Sequence, residues 1–157
     1  DLGFAGLRNN IHTRLERAAG FDAIVVAAAA LDRLDLSSRI AERLDPAVMV
    51  PQVAQGALAV ECRVDDQATL AQLQTINDPT AERAVVAERA FLAELGSGCS
   101  LPIGAYAQIE GPDVVITGIL SSYDGRVVYR ETVRDERAVV AGQTLAGALS
   151  QFAGVLA

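Results

Sequence analysis

The 157-residue chain contains no lysine and no tryptophan, a single histidine and two cysteines. Each scarcity removes a class of chemistry. Without lysine there is neither a Schiff-base nucleophile nor the lysine of a phosphate-binding loop. Cys62 and Cys99 do not form a CxxC pair, and two cysteines do not make a disulfide framework in a chain of this length. With His12 as the sole imidazole, a Cys/His metal site is not expected. Such sparse cysteine usage suits an intracellular, reducing compartment, expected to be the cytoplasm. Aromatic residues make up 4% of the chain and the formal net charge is −7. Nucleic acid is therefore not an expected partner, because phosphate neutralisation needs a basic surface and base stacking needs aromatic platforms. No apolar run reaches the ~18 residues that span a bilayer. No GxSxG, Walker or dinucleotide-binding fingerprint is present.

What is present is an apolar fraction of 51%, enough for a real core. All thirteen basic residues are arginine, the side chain whose planar fork matches carboxylates in bidentate fashion. The chain opens at Asp1, without methionine or a basic-plus-apolar leader. It is expected to be a fragment of a longer polypeptide.

The first part reads as alternating strands and helices. Leu2–Leu7 is a weak strand pattern, and Asn10–Ala19 carries helical spacing that Gly20 stops. Phe21–Ala28 (FDAIVVAA) has the continuous apolar character of a buried parallel strand. Ser37 or Ser38 caps a second helix that reaches Leu44. This β-α-β-α order predicts a parallel sheet covered by helices. Residues 51–56 (PQVAQG) read as a boundary and Leu58–Arg63 as a short strand, with Cys62 as a small core residue. Asp65 or Asp66 caps a helix through Leu73. Asp78 caps another over Pro79–Leu95, with Pro79 in the first helical position.

In that helix Glu88 shares a face with Ala84, Val85, Phe91 and Leu92. A partly buried carboxylate paired with an arginine is expected there, with a catalytic role as the other reading. Three strands follow, Ile103–Glu110, Asp113–Leu120 and Val127–Val133, turned by Gly111-Pro112 and Asp124-Gly125. A closing helix runs from Ala138 to about Ala153. This second part predicts a small α+β unit, an antiparallel three-stranded sheet with helices on one face.

Two groups of residues carry candidate chemistry. Cys99 lies in a glycine-rich loop, GSGCSLPIGA, beside Gly98. Composition leaves it open between an idle loop thiol and a functional one. Arg8 and Arg14 flank the first helix in RNNIHTR, and Arg33 follows the apolar run in ALDRL. If the sheet is parallel, Arg8 and Arg33 lie past strand carboxyl ends, where such sheets bind ligands. Three arginines at one edge predict an anionic, polycarboxylate ligand. His12 reads as a surface residue.

Several of these stretches resemble one known family in a fixed order. LGSGCSLPIGAYA resembles the segment of the porphobilinogen deaminases (hydroxymethylbilane synthases) that carries their covalent dipyrromethane cofactor. VPQVAQGALAVECR resembles the segment crossing from that family's second domain back to its first. LRNNIHTRL and FDAIVVAAAALDRL resemble its arginine-bearing βαβ stretch, and TAERAVVAERAFLAEL its helix before the cofactor loop. The likeness runs over roughly residues 6–107.

The resemblance implies a fold and an activity. Residues 1–50 would be the C-terminal part of a second domain, within a parallel or mixed sheet of the periplasmic-binding-protein kind. Residues 51–77 would return to a first domain, and 78–157 would form a third. Cys99 would hold the dipyrromethane through a thioether. Arg8, Arg14 and Arg33 match positions that bind the acetates and propionates of cofactor and growing chain, with Asn10, Gln55 and Gly98 in matching motifs. The activity implied is head-to-tail polymerisation of porphobilinogen with loss of ammonia, giving hydroxymethylbilane for haem biosynthesis.

The catalytic aspartate of the family lies in a portion that precedes these residues, so no catalytic residue is assigned in this chain. A monomer completed by that portion is expected. The sequence departs from the family pattern at Asn9, Ala30 and Ala54, where glycine is usual, and at Gln52, where alanine is usual. Those departures motivate the alternative of a divergent, non-catalytic module that binds carboxylate ligands. A thiol redox protein using Cys99 is weaker still, since no cation adjoins the cysteine in sequence.

Overall fold

The computed structural model describes residues 2–96 and 102–152. Cys99 and Gly98 therefore lie outside the described residues, as does Ala153, the expected end of the closing helix. The chain divides into two compact units, residues 1–44 and 45–157.

The first unit is built from short elements. Helix α1 spans Ile11–Arg17 and continues as a 3₁₀ turn over Ala18–Gly20. Its start follows from Asn10, whose side-chain oxygen accepts the Thr13 N–H at 3.0 Å, satisfying one of the donors every helix leaves open. Helix α2 spans Ala28–Arg33 and buries Leu31.

The strands expected at 2–7 and 21–28 do not form ladders, and neither does the one expected at 58–63. The reason is physical. A parallel strand must exchange its N–H and C=O groups with a neighbour, and no neighbouring strand exists among the described residues of these regions. Many of their apolar side chains are exposed, Val25 to 66% and Leu58 to 84%, and others, Ile24 and Val26 among them, are half-buried. Cys62 is accordingly half-buried in irregular chain rather than a core strand residue.

The helix expected over 37–44 is also absent. Only Ser37–Arg39 makes a 3₁₀ turn. The Ser37 hydroxyl donates to Asp32 at 2.6 Å instead of capping, and Arg43 grips the same carboxylate with both terminal nitrogens at 3.1 and 2.6 Å. This pair folds residues 37–43 back onto α2. Arg33, read as part of a turn, is the last residue of α2.

The second unit holds the core. Helix α3 spans Gln67–Ile76, three residues past the expected end, and is capped by Asp66. Helix α4 spans Pro79–Glu94, with the Asp78 side chain accepting the N–H groups of Thr80 and Ala81. Strands β1 (Ile103–Glu110), β2 (Asp113–Ser121) and β3 (Val128–Asp135) form an antiparallel sheet in the order β1-β2-β3. Helix α5 spans Ala138–Ser150.

Strand alternation sends Val114, Ile116 and Leu120 of β2 to one face. They meet Phe91 of α4 and Leu145 and Leu149 of α5, all essentially inaccessible to solvent. The two helices touch at Gly142, where an added Cβ would lie 2.2 Å from the Ala87 carbonyl oxygen. The start of the unit is tied to the sheet edge by the Ala105 N–H, which donates to Pro51 O at 3.0 Å. The tyrosine of β3 closes the far end, Tyr129 stacking on Phe152 with ring centres 3.9 Å apart.

Candidate functional site

Several arginines are tied to other groups of the chain, Arg43 of the first unit to Asp32 among them. In the second unit Arg134 pairs with Asp113 at 2.9 Å and with Glu110, and Arg137 with Asp135 at 3.1 Å. Arg83 donates to the carbonyls of Pro112 at 2.5 Å and Glu136 at 2.7 Å. Arg130 donates to Ala47 O. These guanidinium groups are committed to structure.

In the first unit the three candidate arginines carry no carboxylate partner among the described residues. Arg8 and Arg33 are exposed. Arg14 is half-buried, and its Nε donates to Asn9 O at 2.8 Å. That bond fixes the direction of the side chain and leaves both terminal nitrogens available. Asn10 is occupied in capping α1. Arg8, Asn10 and Arg14 thus belong to one local stretch. No hydrogen bond joins Arg33 to them among the described residues, and the sheet edge expected to align Arg8 with Arg33 is not formed. Guanidinium groups without a carboxylate partner among the described residues can accept a ligand rich in carboxylates, because a bidentate arginine–carboxylate pair gains both charge and geometry. His12 is exposed on α1.

Gln55 lies in a turn over residues 53–56. Its side-chain oxygen accepts the Gln52 N–H at 3.2 Å, steadying the turn. Ala54 has φ +57° and Gly56 φ +88°, and the left-handed region costs an L-residue about 1–2 kcal/mol. Asn9 likewise has φ 149°. At Asn9 and Ala54 the backbone thus keeps a conformation that glycine favours.

Glu88 corrects an expectation. It is 7% exposed, yet no arginine reaches it. Its Oε2 accepts the Ala54 N–H at 2.6 Å and its Oε1 the Ala107 N–H at 2.8 Å. Two oriented backbone dipoles do what a guanidinium was expected to do. Burial nonetheless outweighs them and raises the carboxyl above its ordinary value. Sequence reasoning had no signal for these partners, since backbone donors leave no mark in residue type. It also missed an open groove of about 440 Å³ on the outer face of the sheet, lined by Tyr106, Gln108, Thr117 and Arg130 among others. The described residues contain no cluster of three potential metal ligands and no helix long and apolar enough to cross a membrane.

Comparison with known proteins accounts for both units. Residues 1–71 match the family model described as "Porphobilinogen deaminase, dipyromethane cofactor binding domain". Residues 82–151 match the one described as "Porphobilinogen deaminase, C-terminal domain". The chain is 42% identical over 158 residues to a porphobilinogen deaminase of Brevibacillus brevis, a match covering 98% of the chain and 51% of that protein. It is 45% identical over 130 residues to that of Roseiflexus sp. strain RS-1, covering 82% and 43%. With that of Halalkalibacterium halodurans the identity is 44% over 154 residues, covering 95% and 49%.

These matches place the chain among proteins with a dipyrromethane-cofactor-binding domain. It belongs to the porphobilinogen deaminase family, and it spans about half the length of the curated relatives it matches. Arg8, Asn10, Arg14, Arg33 and Gln55 all fall within the segment matching the cofactor-binding domain, and Cys99 within the segment matching the C-terminal domain.

Proposed function

We propose that this chain works as the C-terminal portion of a porphobilinogen deaminase, a transferase that condenses porphobilinogen head to tail with loss of ammonia. Its product is hydroxymethylbilane, released by hydrolysis for tetrapyrrole and haem biosynthesis. Cys99 would hold the dipyrromethane through a thioether, and that group would supply the pyrrole carbon on which the chain grows. The observation that carries the reading is the set of three arginines without carboxylate partners among the described residues, in the segment matching a cofactor-binding domain.

The residues of this chain do positioning and charge compensation. Arg8, Arg14 and Arg33 bind ring acetates and propionates, offsetting the repulsion between polyanionic rings brought to attack distance. Arg14 is pre-aimed by its bond to Asn9, which lowers the entropy lost on binding. Asn10, which caps α1, and Gln55, which braces its own turn, are assigned to cofactor binding, as is Gly98, next to Cys99 in sequence. No residue here takes the catalytic proton-transfer role, which falls to the remainder of the polypeptide.

Fold assignments follow from the same reading. Residues 1–50 complete a second domain with a periplasmic-binding-protein-like sheet, 51–77 return to a first domain, and 78–157 are the third. The exposed apolar segments 21–28 and 58–63 are then strands whose partners belong to other parts of the polypeptide. The working protein is a cytoplasmic monomer.

Intact mass of the purified polypeptide carrying this chain tests the proposal. The expected result is the added mass of one dipyrromethane, lost in Cys99→Ser, together with ammonia release from porphobilinogen. A thiol at Cys99 that alkylates fully, with no added mass, overturns it. Binding of carboxylate ligands without ammonia release would instead identify a non-catalytic binding module.

A further inference from the structure

Glu88 is the one charged residue in the described core, and nothing in the proposed chemistry uses it. Its two oxygens are both spent on backbone. One holds Ala54, in the turn that carries Gln55, and the other holds Ala107 in the middle of β1. The Ala54 N–H comes from a residue in the left-handed region, a conformation that persists only where its surroundings over-determine it. Among the described residues no charged side chain is hydrogen-bonded to Glu88, whose partners are the two backbone amides. A buried carboxylate with no countercharge is costly. An apolar side chain would fill the space at lower cost but could not accept two N–H groups 53 residues apart in sequence.

We propose that Glu88 is a positioning residue, a clamp that fixes the 53–56 turn to helix α4 and strand β1 and so sets the direction of Gln55. The inference rests on the reading of Gln55 as part of the cofactor and substrate site. Glu88 touches no ligand and acts through the turn. The core around Phe91 and Leu145 does not depend on it.

The informative variant is Glu88→Gln, which keeps size and shape. Its carboxamide accepts one of the two N–H groups but turns an NH₂ toward the other, so one arm of the clamp opens. In the polypeptide carrying this chain, hydrogen exchange of the 52–57 backbone is expected to speed up by about tenfold or more. Peptides from β2 and α5 should keep their native rates. KM for porphobilinogen should rise about tenfold with a smaller change in kcat, as lost ligand positioning requires. Ala54→Gly added to Glu88→Gln should recover part of the KM, because glycine holds the turn without strain.

Native exchange at 52–57 with native KM overturns the proposal. Faster exchange throughout the core also overturns it, showing a general support rather than a clamp. If the native polypeptide carries no dipyrromethane, it is the site reading that fails, and the exchange measurement still decides whether the clamp exists.

Discussion

Ala54 shows how one residue can carry both a trace of ancestry and a cost. At φ +57° its Cβ crowds the backbone, and glycine removes that strain while adding freedom to the unfolded chain. Ala54→Gly is therefore expected to stabilise the chain by up to about 1 kcal/mol, the strain relieved less the entropy added. Thermal unfolding of the two proteins side by side checks this, and a lower melting temperature for the variant would falsify the assignment of a left-handed turn. Glu88 gives a second measurable effect at the same scale. Burial holds its carboxyl above the ordinary value of 4.5, so the folded chain binds this proton more tightly than the unfolded one. The stability this lends is complete below that ordinary value and is lost as pH rises through the folded value. Glu88→Gln has no such proton. The difference in unfolding free energy should shift in favour of the variant as pH rises from about 4 to about 7. Parallel stability curves from denaturant titrations across that range would contradict it.

At the scale of elements, the contact of α4 with α5 is the tightest part of the second unit. A Cβ on Gly142 would meet Ala87 O at 2.2 Å and Phe91 N at 2.8 Å, both backbone atoms that cannot swing aside. Gly142→Ala must push the helices apart, and overpacking of this kind costs about 1–3 kcal/mol. Gly147, on the same helix with open space around it, is the control. Gly147→Ala should be neutral or stabilising by up to about 1 kcal/mol. Equal effects at the two positions would show that helix propensity, rather than packing, governs α5.

Elements were legible where their causes are local. Asp78-Pro79 announces α4, Asn10 announces α1, and Gly111-Pro112 and Asp124-Gly125 mark the turns of a sheet whose strands then pair with their sequence neighbours. Segments that need a distant partner form no ladder among the described residues. FDAIVVAA has the composition of a buried strand, but composition cannot supply the neighbouring ladder. Ser37 looked like a cap because nothing in its surroundings revealed that Asp32 would claim its hydroxyl. The candidate site divides in the same way. The arginines stand out by residue type, and their service as an anion-binding set belongs to the proposed function, whereas the bonds of Glu88 to two backbone amides leave no mark in residue type.

For the whole molecule the two units should differ sharply in local stability. The helices of the first unit have seven and six residues, well short of the roughly 12–15 at which an isolated helix becomes even marginal in water. Leu31 is its one nearly inaccessible apolar side chain among the described residues, while Phe4 is 92% exposed. The second unit buries Phe91, Ile116, Leu120, Leu145 and Leu149 together. Amides in residues 2–44 of this 157-residue chain are thus expected to exchange at nearly unprotected rates. Those of β2, α4 and α5 should exchange only through global opening. The same experiment on the longer polypeptide tests the proposed strands. If 21–28 and 58–63 join sheets completed elsewhere in that polypeptide, their amides become ladder donors, and their exchange should slow by orders of magnitude while that of β2 stays the same. Segments that remain unprotected in the longer polypeptide would remove the case for reading them as strands, and with it the sheet edge on which Arg8 and Arg33 are proposed to meet a ligand.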